Sequence, residues 1–278
     1  MNDVITNIGK STIQHGKDNN RIYLMKYKND DTNALIDELN NLAKSERYGK
    51  ICAKIPMMES MAFIQDGYEI EAEIPKFFGG KNTCYFLGKY FSMSRKMDRF
   101  KDDETIILEI SKSKSSNFEL KPLDENFSLS MLEERHVQAM ANIYDSVFES
   151  YPFPIHDPEY LKSTMAKNIL YFGAFDGTKL VALSSAELDR ENQNAEMTDF
   201  ATLDEYKGKN LSLHLLKQME EVLPFYKIKT LYSIARASSP SMNITFARAH
   251  YVFGGKLLNN TQIAGRIENM NVWYRFLE

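Results

Sequence analysis

The chain has 278 residues and 43% hydrophobic content, enough for one large core or two of ordinary size. A net charge of −4, a pI near 5.8 and the lack of any dominant lysine or arginine cluster argue against a nucleic-acid partner. No apolar run reaches membrane-spanning length, and residues 1–18 are polar rather than a signal peptide, so a cytoplasmic globular protein is expected.

In chain order, residues 21–27 pattern as a strand, 32–44 as an amphipathic helix, 50–55 as a strand and 57–65 as a helix, and two strands follow from Gly67 to near Phe91. The serine-rich stretch 112–117 reads as a linker. Beyond it come a strand at 118–123, a helix at 131–151 stopped by Pro152 and Pro154, and a helix at 158–168. Strands at 169–175 and 179–188 form a hairpin turned at Asp176-Gly177. A strand at 196–202, a helix at 209–223, a buried strand at 230–235, a helix from Pro240 to about Ala249 and strands at 252–258 and 270–276 complete the pattern. The fold class is α/β with a mixed sheet, in two units, 1–111 and 118–278. Cys52 and Cys84 fall in apolar strand-like segments and read as two buried thiols rather than a disulfide, and neither they nor the five histidines show metal-ligand spacing.

The first unit reads as a degenerate repeat of the second half of the other. Segments 63–81 and 246–258 each hold a helix end, a tyrosine turn, a strand and a glycine pair, Gly79-Gly80 and Gly254-Gly255. Where the first unit should carry an anion-binding loop it has Asn29-Asp30-Asp31-Thr32, acidic and without glycine, so no cofactor is expected there.

The second unit has a better loop. Asp204-Glu205-Tyr206-Lys207-Gly208-Lys209-Asn210 joins a strand to a helix and carries one glycine, two lysines and no proline. Free N–H groups and the positive end of the helix dipole make such a junction an anion site suited to a pyrophosphate, although ordinary strand-to-helix turns look similar. Placed after the fourth strand of a β-α-α-β-β-β-α-β-α-β-β order, the loop resembles the acetyl-CoA loop of the GNAT acetyltransferase superfamily. That resemblance implies a GNAT fold over 118–278 preceded by a degenerate half-GNAT unit, with acetyl-CoA as cosubstrate and no metal. It assigns Phe200, Ala201, Thr202 and Leu203 to the amide arm of acetyl-CoA, bound like an added strand. It assigns Lys207, Gly208, Lys209, Asn210, Leu211 and Ser212 to the pyrophosphate; Phe246 and Asn243 fall beside the arm, Asn243 as a contact or as a cap. The superfamily pattern Gln/Arg-x-x-Gly-x-Gly/Ala is broken by Glu205 at its first position and Asn210 at its last, a departure that motivates the alternative of an acyl-CoA-binding sensor without turnover. Asparagine tolerates left-handed backbone better than most residues.

Amine acetylation requires a neutral amine, and deprotonating a lysine-like ammonium near pH 7.4 costs roughly 4 kcal/mol. A carboxylate on the fourth strand can take that proton directly or through water. Glu196 is the preferred base and Asp199 the second choice; three apart, they share a face only if the strand is bulged, as GNAT folds are known to be. The position of the acid that many GNAT enzymes use against the departing thiolate falls on Phe246 or His250, and a thiolate leaves unaided.

Four tracts resemble a narrower group, the β-lysine N-acetyltransferase family: STIQHGK at 11–17, RIYLMK at 21–26, EMTDFAT at 196–202 and ENMNVWY at 268–274. The resemblance spans essentially the whole chain. It implies transfer of acetyl from acetyl-CoA to the ε-amine of L-β-lysine, giving Nε-acetyl-β-lysine, a compatible solute. With such an acceptor Glu268 is the candidate for the β-ammonium, and Arg236, Arg21 or Lys26 for the carboxylate. Tyr151 and Phe153 are candidates for the walls around the methylene chain. Surface salt bridges explain the charges equally well. Another amine or a peptide N-terminus is the alternative acceptor; neither nucleic acid nor membrane is an expected partner, and a homodimer is compatible with the pattern.

Overall fold

The computed structural model describes residues 3–28, 31–115 and 118–277. Strands β1 (Val4–Ile8), β2 (Ser11–Gly16) and β3 (Arg21–Lys26) form a meander; α1 (Thr32–Glu46) returns the chain to β4 (Lys50–Pro56), parallel to β3. After α2 (Ser60–Gln65), β5 (Glu69–Phe78) and β6 (Asn82–Tyr90) make a hairpin, and α3 (Met93–Lys96) and α4 (Lys101–Ser113) lead out of the first half. The second half runs β7 (Phe127–Met131), α5 (Val137–Val147), α6 (Pro158–Met165), β8 (Ile169–Asp176), β9 (Lys179–Asp189) and β10 (Asn194–Thr202). It closes with α7 (Leu211–Val222), β11 (Thr230–Arg236), α8 (Pro240–Arg248), β12 (Val252–Ile263) and β13 (Arg266–Phe276). All strands join one sheet in the order β1-β2-β3-β4-β6-β5-β12-β13-β11-β10-β9-β8-β7.

The internal repeat is visible in that order. The run β1-β2-β3-α1-β4-α2-β5-β6 reproduces β8-β9-β10-α7-β11-α8-β12-β13 in sequence, in strand neighbours and in having one parallel pair. The two runs meet edge to edge where β5 pairs with β12 at Ala72 and Gly255. A side chain at Gly255 would drive into the Glu71 carbonyl oxygen and Ala72, and one at Gly254 into the Glu73 carbonyl oxygen, so glycine is what lets the sheets join. Gly79-Gly80 is not the counterpart of this pair: it forms the left-handed turn between β5 and β6. Cys52 and Cys84 are free and buried.

Apolar periodicity builds the layers. Leu211, Leu215, Leu216 and Met219 of α7 pack on Ala195 and Met197 of β10, while Met140, Ala141 and Tyr144 of α5 pack on the opposite face against Leu183 and Ala201. In the first half Leu35, Ile36 and Leu39 of α1 cover Ile22, Leu24, Ile51 and Ala53. Among the described residues its other face has no counterpart of α5 and α6.

Three boundaries differ from the sequence reading. Residues 118–123 are not a strand: Phe118, Leu120 and Leu123 pack irregularly on the core, with Arg248 over the Phe118 ring, so their alternation marks burial rather than pairing. The first strand of this half is β7, and α5 begins at Val137 after a turn of 3-10 helix. Helix α4, unassigned from sequence, carries Asp102, Asp103 and Glu104 in its first turn and Lys112 in its last, which suits the helix dipole. It takes Lys112 and Ser113 out of the expected linker; residues 116 and 117, like Asn29 and Asp30 of the acidic loop, lie outside the described residues.

Candidate active site

The parallel strands β10 and β11 pair only from Asn194–Glu196 against 230–232, and then part. From Met197 to Thr202 the edge of β10 that faces β11 is bare, while its other edge remains paired with β9. The split opens a cleft of about 530 Å³. Of the residues singled out from sequence it brings together Tyr151, Asp199, Phe200, Thr202, Lys207, Gly208, Asn210, Leu211, Ser212, Arg236 and Phe246.

One end of the cleft is the N-terminus of α7. Gly208 (φ +82°) and Asn210 (φ +57°) are both left-handed, and the amides of Gly208, Lys209, Asn210, Leu211 and Ser212 make no backbone hydrogen bond. Five consecutive N–H groups without a backbone partner at the positive end of α7 form an anion cradle. Glu205, the residue at odds with the superfamily pattern, is turned away from it into an ion pair with Lys179 at 3.1 Å.

The middle of the cleft is the bulge of β10. Register with β9 shifts between Thr198 and Ala201, and Asp199 sits at φ +56°. The extra residue puts Glu196, Thr198 and Asp199 on the α5 side of the strand, resolving the three-residue spacing of the two candidate bases. Their environments differ. Asp199 accepts hydrogen bonds from Tyr151, Ser185 and Thr198, so its lone pairs are committed; burial nonetheless raises its pKa against those bonds. Glu196 stands one strand step deeper than Thr198, below the residues that line the cleft. Burial pushes its pKa up to about 7, against the pull of Lys54 and the Tyr232 hydroxyl. A carboxylate poised there can hold or release a proton at neutral pH.

Several expected site residues lie elsewhere. Asn243 is fully buried: it donates to the Arg236 and Ser239 carbonyls and accepts from Asn271 and Trp273, which commits its amide to the core and not to the cleft. Ala201 and Leu203 pack toward the α5 cluster, because the bulge reverses which residues face outward. Lys209 reaches back over the Phe127 ring, 5.5 Å from its centroid. Phe153 also joins the α5 cluster, and Glu268 is buried in an ion pair with Arg266 at 2.9 Å. Phe246 stands edge to face with Phe200 and offers no proton, and His250 lies exposed beyond the end of α8, outside the cleft. Among the described residues no group of three or more His, Cys, Asp or Glu side chains could hold a metal, and no helix is long and apolar enough to cross a membrane.

The sequence reading missed the first half's contribution. Lys54 donates to the Tyr232 hydroxyl at 3.1 Å, and burial followed by the Glu196 charge raises the pKa of Tyr23. The available signal was the alternation in β4, where Lys50, Cys52 and Lys54 share one face of a strand whose other face is core.

A split sheet, a bulged strand bearing carboxylates and an amide-lined helix N-terminus define this protein as an N-acetyltransferase of the GNAT fold. Sequence comparison then supplies the family. The chain is 37% identical over 274 residues to the β-lysine N(6)-acetyltransferase of Methanococcus maripaludis, covering 99% of both chains. It is 32% identical over 259 residues to the β-lysine N(6)-acetyltransferase of Methanosarcina mazei, covering 86% of this chain and 95% of that one. It is 31% identical over 278 residues to N-acetyltransferase YodP of Bacillus subtilis, covering 96% of each. The chain belongs to the β-lysine N-acetyltransferase family. No family model matches it. Among solved structures, the ribosomal-protein-S18-alanine N-acetyltransferase of Escherichia coli overlays 55% of this chain and 94% of its own, with a TM-score of 0.48 and 16% identity. The dodecameric spermidine N-acetyltransferase of Vibrio cholerae overlays 55% and 95%, with a TM-score of 0.48 and 18% identity.

Proposed function

We propose that the enzyme transfers the acetyl group of acetyl-CoA to the ε-amine of L-β-lysine, giving Nε-acetyl-β-lysine as a compatible solute in the cytoplasm. The observation that carries this reading is the 37% identity to a β-lysine N(6)-acetyltransferase over 99% of the chain, the N-terminal half included. We infer that the chain is organised as two units, 1–111 and 118–278.

The residues present fit acetyl-CoA. Five unpartnered amides at Gly208–Ser212 match a diphosphate, and the bare edge of β10 matches the hydrogen-bonding amides of a pantetheine arm. The cosubstrate brings an already activated thioester. Phe200 and Thr202 flank its arm, and Phe246 walls it from α8. Glu196 accepts the proton of the acceptor ammonium, directly or through water, so that a neutral amine attacks the carbonyl carbon. Asp199 holds the Tyr151 hydroxyl in place beside the reacting centre. The thiolate departs without a dedicated acid.

Incubation with acetyl-CoA and β-lysine, followed by localisation of the acetyl group by mass spectrometry, tests the proposal. Product acetylated at the ε-nitrogen supports it. No product above background, or faster acetylation of a peptide N-terminus, removes it.

A further inference from the structure

We propose that Arg21, on the face of the N-terminal sheet opposite α1, binds the carboxylate of the acceptor and so makes the enzyme selective for amino acids over polyamines. The inference rests on the small-amine acetyltransferase reading above and adds the residue and the substrate class.

On β3, Ile22 and Leu24 point into the α1 core, while Arg21 and Tyr23 point to the other face. That face is roofed by the β12–β13 hairpin of the other half. Arg21 Nη1 donates to the Asn260 carbonyl at 2.5 Å and to Thr261 Oγ1 at 3.0 Å. The hairpin is anchored further by the Gln262 amide on Asn19 and by the Gly265 amide on Ser150, in the loop after α5.

Arg21 is only 4% exposed, yet no carboxylate lies within 4 Å of it among the described residues. Its Nε is buried without a hydrogen-bond partner, while Nη1 is held by the hairpin. Nε and Nη2 form the edge of a guanidinium that grips a carboxylate in two parallel hydrogen bonds. A buried cation with its Nε unpartnered is costly to keep unless a ligand completes it. On the same face Lys50 meets Glu71 at 2.7 Å, while Arg95 is, like Arg21, buried with an unpartnered Nε.

The face also leads to the candidate base. The Arg21 guanidinium lies 5.2 Å from the Tyr23 ring centroid, and Glu196 is among the charges that act on both side chains. An acceptor held at Arg21 by its carboxylate must extend its far amine to Glu196, whose charge acts on Arg21 and Tyr23.

The test compares β-lysine with its carboxamide and with 1,4-diaminopentane, in the wild type and in Arg21→Gln. The wild type should prefer the carboxylate over the carboxamide by about 30-fold in kcat/KM, mostly through KM. In Arg21→Gln that preference should shrink to about threefold, with the larger loss falling on the carboxylate. Equal use of acid and amide by the wild type overturns the proposal without any variant, as does an Arg21→Gln loss that falls equally on both substrates. Calorimetry with 5-aminovalerate and its carboxamide runs beside the kinetics. If no diamine is acetylated, the function reading fails, while acid-selective binding lost in Arg21→Gln still supports the site and non-selective binding still rejects it.

Discussion

Glutamine at position 196 separates the two consequences of a carboxyl group poised near neutrality. Burial raises the Glu196 pKa from 4.5 to about 7, so between those values the native protein holds a proton that the unfolded chain has released. The associated stability is present below pH 4.5 and is lost as pH rises through about 7. A shift of that size corresponds to about 3 kcal/mol, an upper value because the side chain is partly exposed. Glu196→Gln keeps the shape without the charge. Urea unfolding should therefore show the variant matching the wild type near pH 4.5 and exceeding it above pH 7 by up to about 3 kcal/mol. Activity should move the other way. Wild-type kcat/KM should climb as pH rises through about 7, whereas the variant should lose roughly 100-fold or more at neutral pH and recover partly in alkali, where the amine ionises alone. A stability difference independent of pH would refute the burial argument. Unchanged activity across the range would move the base to Asp199 or to water.

Other substitutions probe the frame around that group. Gly208→Ala meets no neighbouring atom, so its penalty is the left-handed backbone alone, about 1 kcal/mol, and the KM for acetyl-CoA should rise about fivefold with kcat unchanged. An unaltered KM would take the cradle out of cofactor binding. Gly255→Ala places a methyl against the Glu71 carbonyl and Ala72 and should lower stability by about 2 kcal/mol or more; a thermal midpoint equal to the wild type would show that β5 and β12 tolerate separation. Asn243→Leu orphans the Trp273 N–H and the Asn271 amide and should destabilise by about 2–4 kcal/mol while leaving the KM for acetyl-CoA within about twofold. A large rise in KM would return Asn243 to the cofactor wall.

The order of elements in residues 118–278 was legible because each helix shows apolar spacing and each hairpin has its own turn residues, such as Asp176-Gly177 before β9. The internal repeat was legible in the element order, although the glycine pairs used to align it, Gly79-Gly80 and Gly254-Gly255, do not correspond. Strands β1 and β2 were not, since β1 is exposed along most of its length and carries no core-facing alternation. Strands β12 and β13 proved longer than expected because bulges at 253–255 and 257–261 break the period of two that marks a strand. At the site, local chemistry was readable and convergence was not. The αL tolerance of Asn210 and the need for a bulge follow from residue type and spacing. That Asn243 would turn inward to Trp273, that Arg266 would neutralise Glu268, and that Tyr23 and Lys54 would approach Glu196 from the other half are tertiary facts with no local signature.

The most direct test of the account is a crystal structure of the protein with coenzyme A and β-lysine. The diphosphate should lie within hydrogen-bonding distance of the amides of residues 208–212, with the pantetheine arm along the bare edge of β10 and the sulfur at the Thr198–Phe200 bulge. A diphosphate bound away from the α7 N-terminus, or an arm outside the β10–β11 split, would contradict it.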